Sequence, residues 1–386
     1  MATEVFAGAR VFDGLTIRPG AVVIADGRVS AIVRAPDATG EVTDLGGGIL
    51  APGFVDLQVN GGGGVMLNDA PTVATLRRIA DAHAGLGTTA LFPTLITDTP
   101  ETTRAAVDAV AEAVAAGVPG IAGLHLEGPH LSLARKGAHD PALIRQMAEG
   151  DLAFLLDAAR RLPRLLVTLA PESVTAPQVA ALAGAGVIVS LGHTDSGLGA
   201  VRAAVDAGAR LATHLFNAMS QLASREPGLV GAVLTDGRLD AGLIADGIHV
   251  HPMTMRAALA AKAGPGEVFL VTDAMAPAGT SVTEFLLNGR TIRRSERRLT
   301  LTDGTLAGAD LDMARALRVL THEVGMPLVQ ALAMATRIPA RVAGLSETHG
   351  ALMPGRVADL VHLSDDLRLR AVWRGGVRIA LLQGAE

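Results

Sequence analysis

The sequence predicts an α/β fold, a (β/α)8 barrel of the TIM type, with a small β domain built from the two chain ends. Three observations predict it. Apolar runs of strand type recur eight times between residues 54 and 272. Ala-rich stretches of helical length separate most of them. Polar residues follow these runs, and a closed barrel gathers such residues on its C-terminal rim. A doubly wound open sheet is the alternative with the same local pattern.

In chain order, residues 4–11 and 21–33 alternate apolar and polar, and Asp26-Gly27 is a hairpin turn signal. The eight apolar runs follow at 54–59, 89–93, 123–126, 165–169, 187–191, 211–213, 241–245 and 268–272. They are rich in Ala, Val and Leu, as strands buried on both faces are. Helical stretches such as 72–84, 101–116 and 197–207 lie between them. Near the end, 358–363 and 370–379 read as strands again, with Gly375-Gly376 as the turn. β-rich ends flanking a long α/β middle are expected to pair with each other. The expected division is 1–52 with 350–386 as the small β domain, and 53–349 as the barrel.

Composition narrows the function. Of 386 residues 49% are hydrophobic, so global disorder is excluded. A net charge of -5 offers no basic footprint for nucleic acid, and 2% aromatics leaves no stacking platform for single strands. The absence of cysteine excludes disulfides, thiol catalysis and iron–sulfur clusters. Residues 1–4 show no basic leader, and no apolar run has the length of a membrane span. The expectation is a soluble, cytoplasmic protein with no membrane partner.

The chemistry-bearing residues follow the strands. Glu127, His193 and His214 come from three different runs. Two imidazoles and a carboxylate make an open site for a catalytic divalent ion, with a position left for water. Such an ion lowers the pKa of water to about 7. Asp273 follows the eighth run. There a carboxylate can take a proton from water and return it to a leaving group; a helix N-cap or a further ligand would use the same residue. The two lysines, Lys136 and Lys262, lie off the strands, and Gln58 and Asn60 stand where a His-x-His pair would hold a second metal. One ion per chain is therefore expected.

Other residues carry weaker signals. His125 shares a face with Glu127 and either supports it or packs. His83, His322, His349 and His362 have structural or solvated places, and His251 precedes Pro252 in a loop. Arg225 lies in a long loop after the sixth run, where a guanidinium that reaches the rim clamps phosphate or carboxylate. The glycine run 61–64 lacks the Lys-Ser/Thr of a phosphate loop and reads as a flexible turn beside the site.

Several blocks then resemble one family. Pro52-Gly53-Phe54-Val55-Asp56-Leu57-Gln58 is similar to the opening strand of amidohydrolase-superfamily barrels. The set is extended by Gly123-Leu124-His125-Leu126-Glu127-Gly128-Pro129, Lys136-Gly137-Ala138-His139, Leu169-Ala170-Pro171-Glu172 and Gly192-His193-Thr194. Thr213-His214-Leu215-Phe216-Asn217-Ala218-Met219, Arg225-Glu226-Pro227-Gly228, Ala245-Asp246-Gly247-Ile248-His249 and Thr272-Asp273-Ala274 complete it. In this order, over nearly the whole chain, they closely resemble the N-acetylglucosamine-6-phosphate deacetylases.

The resemblance implies a distorted barrel, a β-sandwich from both termini and a homodimer. It implies metal ligation by Glu127, His193 and His214, with zinc ahead of iron, manganese or cobalt, and Asp273 as the acid/base. It implies phosphosugar contacts at Ala138, His139, Asn217, Ala218, Arg225, His249, Leu306, Ala307 and Gly308, with Arg225 reaching across the dimer interface. The implied reaction hydrolyses the acetamide to acetate and glucosamine 6-phosphate. The galactosamine epimer or another amidohydrolase substrate, such as a D-aminoacylase takes, is the alternative in the same class. A non-catalytic sugar-binding barrel is the alternative in another class. Two departures bear on selectivity. His130 follows Gly128-Pro129 where an aromatic is common, and Asp195-Ser196-Gly197 replaces the usual Asn/Asp-Ala-Thr.

Overall fold

The computed structural model describes residues 3–34, 37 and 39–382. Eight strands, Phe54–Val59, Thr88–Ile96, Leu124–Glu127, Leu165–Leu169, Ile188–Leu191, Leu211–Ala212, Asp240–Leu243 and Val268–Leu270, lie side by side in sequence order. Every neighbouring pair is parallel. Burial on both faces accounts for their unbroken apolar runs. All eight sequence runs are present, with ends moved by a few residues. The second strand extends to Ile96, past the end of its sequence run at 93.

The ring closes through a seam, without a continuous eighth ladder. Val59 and Ala274 form an isolated parallel bridge. Asp273 N donates to Gln58 O at 3.0 Å, and Asn60 N donates to Ala274 O at 2.9 Å. This is where the barrel is distorted, because the eighth strand ends at Leu270 and irregular chain continues the contact.

Helices cover the outside. Val73–Ala84 begins where the Thr72 side chain accepts from Thr75 N, and it buries Leu76 and Ile79 on the barrel. Pro100–Ala115 has Thr99 as its cap and Pro at its first position, where a missing N–H costs nothing.

The glycines at 61–64 make a turn, with Gly63-Gly64 at the tip of a hairpin. Gly61–Gly62 pairs with Val65–Met66 in a short hairpin. Gly63 N and Gly64 N donate to Ala278 O and Ala276 O, both at 2.8 Å. A Cβ at Gly61 would stand 2.4 Å from Val65 O, so the tight backbone approach requires glycine.

The two chain ends share one six-stranded sheet, because Leu360–Leu363 pairs antiparallel with Ile49–Pro52. A four-stranded sheet of Thr3–Ala7, Ala21–Ala25, Arg28–Val33 and Glu41–Asp44 packs on it through Phe6, Ile24, Leu50, Leu360 and Trp373. Both turn signals are left-handed pairs, Asp26 and Gly27 at φ 51° and 70°, and Gly375 and Gly376 at 58° and 79°. Trp373 is the one tryptophan of the chain, and its ring meets Phe6 edge-on at 4.7 Å. Phe6→Ala is therefore expected to cost about 3–5 kcal/mol. Denaturant unfolding read by Trp373 fluorescence checks this; a cost under about 1 kcal/mol would show that the ring carries little of this core.

After the eighth strand the chain makes a four-stranded antiparallel meander: Glu284–Leu287, Arg290–Ser295, Arg298–Leu301 and Leu306–Ala309. The sequence reading marks no strand between residues 272 and 358. The Arg- and Thr-rich strands hide the element, because each supplies only one fully buried residue or two. Leu287, Ile292, Leu299 and Ala307 find their apolar partners in Met66, Ile96 and Met275 on the barrel rim.

Candidate active site

Three strand ends converge in the barrel mouth. Glu127 ends the third strand, and His193 and His214 follow the fifth and sixth in left-handed backbone, at φ 46° and 28°. Each such residue costs roughly 1–3 kcal/mol and persists only where its surroundings enforce it. Glu127 Oε1 lies 3.3 Å from His193 Nε2 and 3.1 Å from His214 Nε2, and the two nitrogens are 3.1 Å apart. Ligand bonds of about 2.0–2.1 Å in a tetrahedral zinc site would separate ligand atoms by about 3.3 Å. The three atoms already have that spacing.

The surroundings fit a cation as well. His193 Nδ1–H donates to Arg135 O at 2.9 Å, which leaves Nε2 and its lone pair turned toward Glu127. His214 Nδ1 is buried with no partner among the described residues. Two imidazoles and a carboxylate, with no thiolate, suit a borderline divalent ion. His139 Nε2 stands 3.9 Å from Glu127 Oε2, and Glu127, His139 and His193 also bring ligand atoms together, so a third imidazole borders the cluster. Burial opposes the Glu127 charge, but the adjoining His193 and His214 rings, where they carry Nε2 protons in place of a cation, hold the carboxyl well below the usual range. Burial also opposes protonation of His214, and the bond to Glu127 overcomes it and raises the ring. Burial drives His139 well below the ordinary histidine range, so its ring is neutral.

Asp273 follows the eighth strand at φ 52°. Asn60 Nδ2 donates to its Oδ1 at 2.6 Å, and Gln58 Nε2 donates to the same oxygen at 3.1 Å. Gln58 Nε2 is also 3.1 Å from Glu127 Oε1. The amides that replace a His-x-His pair thus hold carboxylates with their N–H groups. Burial, and then the charge of Glu127, pushes the Asp273 carboxyl up to about 6. A carboxyl titrating there can both accept and return a proton near neutral pH.

Neighbouring groups are committed elsewhere. His249 Nδ1–H donates to Asp246 Oδ2 at 2.6 Å, and Asp246 Oδ1 accepts from Ile248 N and His249 N at 2.8 Å. The ring is pinned with Nε2 left over. Glu172 accepts from Thr194 Oγ1 at 2.5 Å, Ser196 Oγ at 2.6 Å and Asp195 N at 2.8 Å. It braces the loop behind His193 and does not line the cleft described below. His125 packs between Thr94 Oγ1 and Thr168 Oγ1, at 3.2 and 2.7 Å, and burial lowers it to about 4. His251 is the N-cap of the helix Pro252–Ala261 rather than a loop residue. Of the two departures, buried His130 is bonded to Arg145 O, while Asp195 pairs with Arg135 Nε at 2.8 Å on the cleft wall.

A cleft of about 390 Å³ opens over these groups, within the range of small-molecule sites. Glu127, His193, His214 and Asp273 line it, and so do Ala138, His139, Asn217, Ala218, His249, Leu306 and Gly308. Ala307 does not. Strand alternation turns its methyl into the apolar cluster with Met66 and Ile96. Arg225 also lies outside the cleft of its own chain, on an exposed loop. Sequence reasoning missed the carbonyl of Arg135, the clamp of Asp246 on His249, and the apolar walls Ile96, Ile244, Met275 and Leu287. The sequence marked Gln58 and Asn60 but not their partners, and Asn60 and Asp273 are 213 residues apart in sequence.

Comparison with known proteins agrees with this geometry. The model of the amidohydrolase family matches residues 49–379. A Shewanella N-acetylgalactosamine-6-phosphate deacetylase is 48% identical over 86% of this chain and 83% of its own. A Haemophilus influenzae N-acetylglucosamine-6-phosphate deacetylase is 36% identical over 89% and 90%. Among solved structures, the N-acetylglucosamine-6-phosphate deacetylase of Pasteurella multocida superposes with a TM-score of 0.93 at 33% identity, covering 97% of this chain and 99% of that one. A mutant of the Mycobacterium smegmatis N-acetyl-D-glucosamine-6-phosphate deacetylase in complex with N-acetyl-D-glucosamine-6-phosphate gives 0.91 at 36% identity, covering 98% and 100%. The chain belongs to the amidohydrolase family, hydrolases of amide bonds, and within it to the amino-sugar 6-phosphate deacetylases.

Proposed function

We propose that the protein hydrolyses N-acetylglucosamine 6-phosphate to acetate and glucosamine 6-phosphate with one divalent ion per subunit. The observation that carries this reading is the shared cleft of Asp273 and the Glu127, His193 and His214 cluster, joined by the Gln58 amide. Those three residues would hold the ion, zinc by its donor set, which supplies Lewis acidity at the acetyl oxygen and acidifies water. Asn60 and Gln58 occupy Oδ1 of Asp273, so Oδ2 is the oxygen that takes the proton from the attacking water. The same oxygen returns it to the amide nitrogen, and the C–N bond breaks toward a neutral amine. His249, its ring held by Asp246, stands at the cleft to polarise the acetyl oxygen as negative charge develops there, a role that needs a proton on Nε2 as well as on Nδ1.

Ala138, His139, Asn217, Ala218, Leu306, Ala307 and Gly308 bind the sugar phosphate, Ala307 through its backbone. Arg225 reaches the phosphate in the neighbouring site of a homodimer, which is supported by its exposure and its distance from its own cleft. The site of action is the cytoplasm; among the described residues no helix is long and apolar enough to cross a membrane. The galacto epimer is the second reading, favoured by the 48% identity of the Shewanella relative.

Acetate release from both 6-phosphate epimers and from unphosphorylated N-acetylglucosamine tests the proposal. Higher kcat/KM on the gluco epimer supports it, and preference for the galacto epimer supports the second reading. Equal turnover without the phosphate would sink both. A charge-assisted contact to phosphate is worth roughly 1.5–3 kcal/mol, so Arg225→Ala is expected to cost about ten- to a hundredfold on the phosphorylated sugar alone. Equal losses on both kinds of substrate would make Arg225 a structural residue.

A further inference from the structure

We infer that Asp56 is a positioning residue: its buried carboxylate, bound to Thr272 across the barrel seam, sets the backbone that aims Asp273. The inference deepens the proposed hydrolysis and rests on that reading. Asp56 sits on the first barrel strand, fully buried, two and four residues before Gln58 and Asn60. Strand alternation places these three on one face of the strand. They meet the eighth strand's end one above another. Gln58 and Asn60 hold the Asp273 carboxylate itself, and Asp56 holds the residue before it.

The contacts are specific. Thr272 N lies 3.2 Å from Asp56 Oδ2 and 3.3 Å from Oδ1, and Thr272 Oγ1–H donates to Oδ2 at 2.5 Å. Gln58 N donates to Oδ1 at 3.1 Å. Thr272 Oγ1 in turn accepts from Ala274 N at 3.3 Å, reaching past Asp273. The eighth strand ends at Leu270, so Thr272 N has no ladder partner, and a side chain stands in for the missing rung. Asp56 thus holds the Thr272 amide and, through the Thr272 hydroxyl, the Ala274 amide, one on each side of the left-handed Asp273, whose own N–H donates to Gln58 O at 3.0 Å.

A buried acceptor is not required to close a barrel; the other seven strand pairs close by ladders between backbones. What the side chain adds is a hold on the N–H and hydroxyl of Thr272, the residue before the proton-transferring group, beside the single backbone bond from Asp273 N to Gln58 O. A misplacement of about 1 Å by a change outside the reacting shell costs on the order of a hundredfold in rate.

The test uses the metal-loaded full chain with Asp56→Asn, Thr272→Val and Thr272→Ser. Asp56→Asn and Thr272→Val are each expected to lower kcat roughly ten- to a hundredfold, with KM and metal content within about twofold of wild type. Thr272→Ser keeps the hydroxyl and is expected to stay within about threefold of the wild-type kcat. The double variant Asp56→Asn/Thr272→Val should be no slower than the slower single variant, because one linkage is removed once. Hydrogen exchange at the amides of residues 272–274 should quicken in Asp56→Asn and Thr272→Val while the rest of the barrel is unchanged.

Unchanged exchange at 272–274, or a kcat per folded molecule equal to wild type, overturns the inference. So does a rate loss that Thr272→Ser shares with Thr272→Val. If Asp56→Asn does not fold, the Val and Ser pair decides alone. An Asp273→Asn control that turns over normally would instead overturn the proposed role of Asp273, and the exchange data would still decide whether Asp56 holds that segment.

Discussion

Asp273→Asn is expected to keep its metal and bind substrate while turnover falls by roughly 10²–10⁴-fold, the range for losing a general acid–base. Asn keeps the shape of Asp and can still meet Asn60 and Gln58 across the seam, but it cannot hold a proton near neutral pH. The wild-type rate should also fall on the acid side. A base must be ionised to act, and burial holds this carboxyl at about 6, so activity is present above that value and lost as pH falls through it. A bound cation nearby favours the ionised form, so the limb in the loaded enzyme lies at or below about 6. The profile of kcat/KM against pH, with metal content measured on both proteins, reads these points together. Loss of metal from the Asn variant would make Asp273 chiefly a ligand. Near-normal turnover would place the base elsewhere. His249 is then the candidate, because it lines the cleft and Glu172, which braces Thr194, Asp195 and Ser196, does not.

Removing the metal is expected to have an effect of similar size. Lewis-acid stabilisation worth several kcal/mol corresponds to at least about a thousandfold in rate. Chelated protein should be inactive, and activity should return with one equivalent of a divalent ion per chain. The reason for one equivalent is geometric. Gln58 and Asn60 direct N–H groups at Asp273 and Glu127, so they present hydrogens where a second ion would need lone pairs. Adding the ion should also raise the unfolding temperature, since it binds the folded cluster and lowers its repulsive cost. Titration of chelated protein, following both rate and melting, checks this. Full recovery only at two equivalents, or an active chelated protein, would refute the single-ion reading.

Much of the architecture was legible because it is written locally. Barrel strands buried on both faces must be apolar along their length, and the helices between them must carry an apolar stripe; both patterns repeat along the chain. The rim could be read too, since the C-terminal ends of parallel barrel strands all open on one face. Glu127, His193, His214 and Asp273 are found in one cleft for that reason. The meander 284–309 was not legible. Its strands are short, its exposed faces are Arg- and Thr-rich, and its apolar residues make sense only against Met66 and Ile96, far earlier in the chain. The glycines at 61–64 were legible as a turn, but the approach of Val65 O that requires glycine at 61 was not.

The sequence by itself determined the order of the elements, the pairing of the two β-rich ends and the set of polar residues delivered to the rim. Those follow from patterns a few residues long. Only the tertiary structure decided how these residues meet. It turned the Gln58 and Asn60 amides toward carboxylates, committed Glu172 to a loop, and put His193, His214 and Asp273 in left-handed backbone. It joined Asp56 to Thr272 across 216 residues and left Arg225 outside the cleft of its own chain. A buried polar group must find a partner wherever the fold brings one, and that choice depends on distance in space, to which local sequence patterns are blind.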